Sequence, residues 1–217
     1  MLCFHPHGML CCGWTVANSG AALSASRVTW LAADALLALP GIGDFLRWNA
    51  TEGVGAANLR RLMARRANVA LLPGGFEEAT VYARGAFRVY LRRRKGFVKF
   101  ALQHGYSLHP VYTFGEERTY WALTALRAPR LALNRLRLPG VLFLGTPRLA
   151  ALALPFLPDP SAALLTVVGA PLRLPRIEAP TAADVALWHG RYCDALQRLF
   201  DEHKRDAGCP DAVLEVL

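Results

Sequence analysis

The chain has 217 residues, of which 53% are hydrophobic and only 19% charged, with a formal net charge of +9 and a mean hydropathy of +0.23. That length holds one domain with a real core, and that composition is apolar for a freely soluble enzyme. Its basic residues sit among Leu, Ala and Phe rather than on a polar face with interleaved aromatics, which sets nucleic acid aside and favours a membrane surface and a phosphorylated ligand.

The apolar run Leu2-Cys3-Phe4 leads into His5-Pro6-His7-Gly8. Met1 to Phe4 is short for a first strand. A strand ending in this turn would present an imidazole at the carboxyl edge of a sheet, where open α/β folds bind ligands. Four residues alone leave three readings: a polar turn, a metal pair, or a general base acting on a hydroxyl. No further His, Cys or carboxylate set stands at a familiar ligand spacing, so no metal is assigned. Small residues from Cys11 to Ala25 read as a helix packed closely on a sheet, and Val28 to Leu31 as a strand. Asp34 to Leu39 and Asp44 to Trp48 read as short helices.

Val54 to Arg66 is an amphipathic helix with Leu59, Leu62 and Met63 on one face. Val69 to Leu72 has the all-apolar character of a buried parallel strand. It breaks at Pro73-Gly74-Gly75, and Glu77 and Glu78 follow as loop acids or as a second edge of the site. Lys95-Gly96 opens an apolar helix, Phe97 to His104. The cations Arg94, Lys95 and Lys99 beside a helix start make a candidate anion site, although a charge run is more often a solvated face. Leu108 to Phe114 is the next strand, and Leu164 to Val168 is expected to be another buried one.

Thr181 and Asp184 form a capping box for a last helix, whose Val185, Trp188, Tyr192, Leu196 and Leu199 recur as a core stripe. The five cysteines include no Cys-x-x-Cys pair, which suggests reduced thiols in a cytosol-facing domain. No segment reads as a spanning helix or a signal peptide; Leu131 to Pro158 suits an interfacial segment better. The alternation of strands and helices predicts an α/β class, with a mainly parallel sheet flanked by helices in a single domain.

Several stretches taken together carry a resemblance. They are His5-Pro6-His7-Gly8, Pro73 to Glu78, Arg94 to Lys99, Phe114-Gly115-Glu116, Thr166 to Gly169, Leu199 to Lys204 and Val213 to Val216. In this order, over essentially the whole chain, the sequence resembles the type 2 diacylglycerol acyltransferase family, which includes monoacylglycerol and wax-alcohol acyltransferases. The resemblance implies a glycerolipid-acyltransferase-like fold. It also implies transfer of a fatty acyl group from acyl-CoA to a neutral lipid hydroxyl at the cytosolic face of the endoplasmic reticulum membrane, or at the lipid droplet. Acyl-CoA would be a co-substrate, with no separate cofactor, and a homo-oligomer is left open.

The related His-x-x-x-x-Asp enzymes carry an Asp where this chain has Cys12 counted from His7 and Leu10 counted from His5. The expected site therefore has His7 as general base, His5 beside it, and Glu78 as the carboxylate partner of the His7 ring. Gly8, Gly74 and Gly75 would supply oxyanion contacts, and Arg94, Lys95 and Lys99 would bind acyl-CoA. Residues 1–217 are expected to form one acyltransferase domain without the hydrophobic segments that precede the His-Pro-His-Gly motif in the family. The remaining alternative is a catalytically weak lipid-binding protein.

Overall fold

The computed structural model describes residues 1–20, 26–136, 140–146 and 156–217. Its centre is β1, Leu2–His5, which is short yet fully engaged. It lies between β4 (Asn68–Leu71) and β6 (Ser107–Phe114), parallel to both. β2 (Val28–Ala32) pairs parallel with β4, and β3 (Thr51–Gly53) pairs parallel with β2. Cys3 and Phe4 are buried because β1 is covered on both faces, the situation that demands a continuous apolar run.

The far side of β6 carries two antiparallel strands, β9 (Leu165–Val168) and β10 (Leu172–Arg173). The result is a mixed, mostly parallel seven-stranded sheet flanked by helices. The expectation of a buried strand over Leu164 to Val168 is corrected here. Leu165 and Val168 are exposed, because the strand closes an edge of the sheet rather than filling its middle.

Helices α1 (Cys12–Ser19), α2 (Asp34–Leu37), α3 (Ile42–Trp48) and α4 (Ala56–Ala64) connect the first strands. The helix expected to run on to Ala25 ends at Ser19; residues 21–25 lie outside the described residues. After β4 comes α5, Gly75–Val81, in place of a loop of solvated acids. The apolar positions Ala79 and Val81 bury one side of this helix, and Glu78 goes in with them at 2% exposure. Two strands with no clear sequence signal, β5 (Arg88–Val89) and β11 (Glu215–Val216), pair in parallel.

α6 (Gly96–His104) ends in left-handed Gly105 and leads into β6. Beyond β6, the short strands β7 (Trp121–Ala122) and β8 (Phe143–Leu144) flank α7 (Arg127–Arg135). The expected interfacial segment falls partly on residues 137–139 and 147–155, outside the described residues. The last helix, α8 (Ala182–His203), starts at Thr181 with both bonds of the capping box formed. Its Val185, Tyr192, Leu196 and Leu199 are buried in the main core, with Trp188 packed at the margin. No described helix is long and apolar enough to cross a membrane.

Candidate active site

Parallel pairing aligns the ends of its strands. The carboxyl ends of β1, β4 and β6 therefore lie at one edge, and they deliver His5-Pro6-His7, Pro73-Gly74-Gly75 and Gly115-Glu116 side by side. α6 runs back toward the opposite edge before β6, so its start, at Lys95, lies at the same edge as the histidines.

The two histidines are not equivalent. His5 is 0% exposed. Its Nε2 lies 3.0 Å from the Tyr192 hydroxyl of α8, and its Nδ1 lies 3.9 Å from Glu78 Oε1 without a hydrogen bond. His7 is half-buried and sits at the turn, within reach of a ligand. Its Nδ1 is 3.2 Å from the Gly8 carbonyl. A carbonyl only accepts, so Nδ1 carries the proton and Nε2 holds the lone pair that a general base needs. Burial lowers the affinity of the His7 ring for a proton. Glu78 opposes that shift and Arg94 adds to it. The ring is therefore neutral at neutral pH.

The expected pairing of Glu78 with the His7 ring is corrected by this geometry. Glu78 reaches His7 through the main chain: the His7 N–H donates to Oε1 at 2.5 Å, and the Tyr90 N–H donates to Oε2 at 2.6 Å. The imidazole that Glu78 faces is His5. The side chain starts from the first turn of α5 and turns inward, because Gly74 leaves room for it. A Cβ on Gly74 would stand 2.1 Å from Oε2.

Gly8 serves a second carboxylate in the same way. Its φ is +60°, and a Cβ there would stand 2.1 Å from Glu116 Oε1. Sequence reasoning places Glu116 only in the stretch Phe114-Gly115-Glu116 and Tyr192 only in the core stripe. A hydroxyl on the inward face of a core helix was the signal available for Tyr192, since a buried Tyr O–H needs a partner.

Arg94 joins the site, while Lys95 and Lys99 stand exposed at the start of α6. The Arg94 guanidinium pairs with Glu77 and lies against Gly75, and its Nε is buried without a partner among the described residues. Burial pulls its proton affinity below the ordinary value for arginine. Cys11 Sγ lies 3.4 Å from His7 Nδ1 and 3.6 Å from Nε2. Burial, reinforced by Glu116, pushes the Cys11 thiol well above its ordinary value, and Cys12 is pushed up to about 12. Both remain thiols, which disfavours them as acyl carriers. A cavity of about 370 Å³ lies behind the Gly115 turn, lined in part by Phe87, Glu117, Leu164 and Cys209. Neither histidine lines it, so chemistry rather than cavity size locates the reactive centre.

An α/β protein with a neutral imidazole and a desolvated arginine at the carboxyl edge of parallel strands is equipped to take a proton beside a developing negative charge. The sequence model of the family described as diacylglycerol acyltransferase matches residues 1–217, and the chain belongs to that family. It is similar to diacylglycerol O-acyltransferase 2 of Xenopus laevis, with 30% identity over 96% of this chain and 62% of that protein. It is 33% identical to 2-acylglycerol O-acyltransferase 3 of Homo sapiens over 95% of this chain and 64% of that protein. It is also 31% identical to diacylglycerol O-acyltransferase 2-like protein 6 of Homo sapiens, over 95% of the chain and 66% of that protein. The chain thus spans less than two thirds of the length of these relatives. No solved structure matches it significantly.

Proposed function

We propose that the chain transfers a fatty acyl group from acyl-CoA to the hydroxyl of diacylglycerol, within a glycerolipid-acyltransferase-like fold. The observation that carries this reading is the neutral His7 ring at the strand edge, with Nδ1 bonded to the Gly8 carbonyl and Nε2 met by nothing stronger than the Cys11 thiol at 3.6 Å. His7 Nε2 takes the acceptor hydroxyl proton as the oxygen attacks the thioester carbonyl. The C–O bond forms and the negative charge moves to the carbonyl oxygen, where Arg94, a cation close enough to lower the proton affinity of the His7 ring, is placed to receive it. The C–S bond then breaks, and the departing CoA thiolate recovers the proton from His7. Triacylglycerol and free CoA result, without an acyl-enzyme.

A monoacylglycerol acceptor is the second reading, favoured by the similarity to a 2-acylglycerol O-acyltransferase. Incubation with labelled acyl-CoA and, separately, diacylglycerol, monoacylglycerol and a long-chain alcohol tests both. Label in triacylglycerol supports the first, label in diacylglycerol alone supports the second, and label in wax ester alone rejects both.

The exposed Lys95 and Lys99, beside the free N–H groups at the start of α6, suit the phosphates of CoA. Lys95→Ala is expected to raise KM for acyl-CoA several-fold more than KM for the acceptor. Equal constants in variant and wild type would leave the run as a solvated face.

The same edge suits a bilayer on the cytosolic face of the endoplasmic reticulum, or the surface of a lipid droplet. Leu10, Leu123, Leu126 and Leu142 are exposed there, on segments that follow β1 and β6. Lys95 and Lys99, exposed at the start of α6, put positive charge at the same edge. Co-sedimentation with anionic vesicles is expected, weakening with salt. Glu substitutions at Leu126 and Leu142 should reduce binding without lowering Tm. Wild-type protein left in the supernatant at low salt would reject the idea.

A further inference from the structure

Glu116 is 1% exposed. No Arg, Lys or His side chain among the described residues pairs with it. Both of its oxygens are nevertheless used. The N–H of Cys12 donates to Oε1 at 3.0 Å, and the N–H of Gly13 donates to Oε2 at 2.7 Å. These two residues open α1. The same carboxylate fills the space beside Gly8 where any other residue would carry a Cβ.

From the end of β6, Glu116 therefore holds both ends of the loop from Gly8 to Cys12. That loop fixes the His7 ring, through the Gly8 carbonyl on Nδ1 and the Cys11 thiol against the imidazole. Cys11 stands in the left-handed region at φ +52°, a conformation that needs support from outside the loop.

We propose that Glu116 is a positioning residue for the general base: its carboxylate clamps the Gly8–Cys12 loop so that His7 keeps its orientation toward the reacting hydroxyl. The kinetic consequence rests on the acyl-transfer reading; the structural one does not.

Capping alone would not call for a carboxylate here. A buried charge without a cation is costly, and a neutral acceptor would satisfy one N–H at less expense. Two N–H groups aimed at one anion make the stronger, charge-assisted clamp. Burial pushes the Glu116 carboxyl up to about 7, with Glu117 contributing and the two N–H groups opposing. The other titratable groups that face it are Cys11, Cys12, Tyr82, Tyr112 and Tyr120, none of which supplies positive charge.

The clamp is thus at full strength above about 7 and loosens as the proton binds. The sign separates this effect from unfolding. A carboxyl whose folded value is raised contributes stability at low pH and loses it as pH rises through the folded value. Protonating Glu116 therefore releases the loop while its own contribution to global stability increases.

Amide hydrogen exchange across residues 8–16 tests the clamp. In wild type, protection of the Cys12 and Gly13 amides, corrected for intrinsic rate, should fall as pH drops through about 7. In Glu116→Gln it should be low at every pH, because the side-chain amide has one acceptor and turns its NH2 toward a donor. The variant should also lose about 10- to 100-fold in kcat with KM for acyl-CoA held, in the range of a lost charge-assisted contact. Its acid limb in kcat should move from near 7 to the lower pH at which His7 itself titrates.

Exchange that is the same in both proteins and at every pH overturns the proposal. An unchanged acid limb in the variant overturns the link to His7. If the variant does not fold, the wild-type exchange series decides. A wild type that transfers no acyl group removes the acyl-transfer reading and leaves exchange to judge the clamp.

Discussion

His7→Ala lowers kcat by about 10²- to 10⁴-fold, the usual span for a lost general base, and leaves KM for acyl-CoA near its wild-type value. The split follows from position. The His7 ring sits in the turn beyond β1 and carries no charge to attract the donor. His5→Ala acts by another route. His5 is fully enclosed between Tyr192 and Glu78, so truncation leaves a void and leaves the Tyr192 hydroxyl only its longer bond to the Cys3 carbonyl at 3.5 Å. A stability loss of about 2–4 kcal/mol is expected. Steady-state kinetics beside thermal melts separate the two: His7→Ala melts like wild type and does not turn over, whereas His5→Ala melts early. Full turnover by His7→Ala would remove the mechanism.

Glu78→Ala is expected to cost the most stability of any change at the site. The carboxylate is 2% exposed and receives the main-chain N–H groups of His7 and Tyr90. Each donor left without its charged acceptor costs about 1–3 kcal/mol. The pair amounts to a large part of the roughly 5–15 kcal/mol that holds a domain folded. Glu78→Gln should lie nearer to Ala than to wild type, because one N–H then meets an amide NH2. Denaturant midpoints measured at neutral pH check this, and a Gln variant as stable as the parent would show that neither bond matters to the fold.

Periodicity and punctuation made much of the frame legible. Val28 to Leu31, Leu108 to Phe114 and the Thr181 capping box each carry their own local signal, and the helix after Lys95 starts and stops at glycines. β3, β5 and β11 were not legible, because two or three residues cannot show a period and their pairing is set by neighbours far along the chain. Leu165 to Val168 is apolar as a central strand would be, and nothing local says that it lies at an edge. In the site, the histidines announced themselves by type. The partner of Glu78 did not, because a carboxylate near a histidine in space can bond to the main chain rather than the ring. Glu116 was hidden for a related reason: its donors are backbone N–H groups, which every residue has.

Gly8 with Glu116 and Gly74 with Glu78 form two interlocking couples, in which a missing Cβ on one residue is filled by the carboxylate of the other. Neither partner can drift alone. A larger residue at 8 or 74 drives the acid out, and a smaller one at 116 or 78 leaves a hollow over the glycine. Sequences that abandon the arrangement must change both members of a couple together, because a single change at any of the four loses packing that its partner cannot restore. Paired randomisation of 74 with 78 is where alternative packings of this histidine turn would be found, because position 8 keeps a φ of +60° that resists any other residue whatever stands at 116.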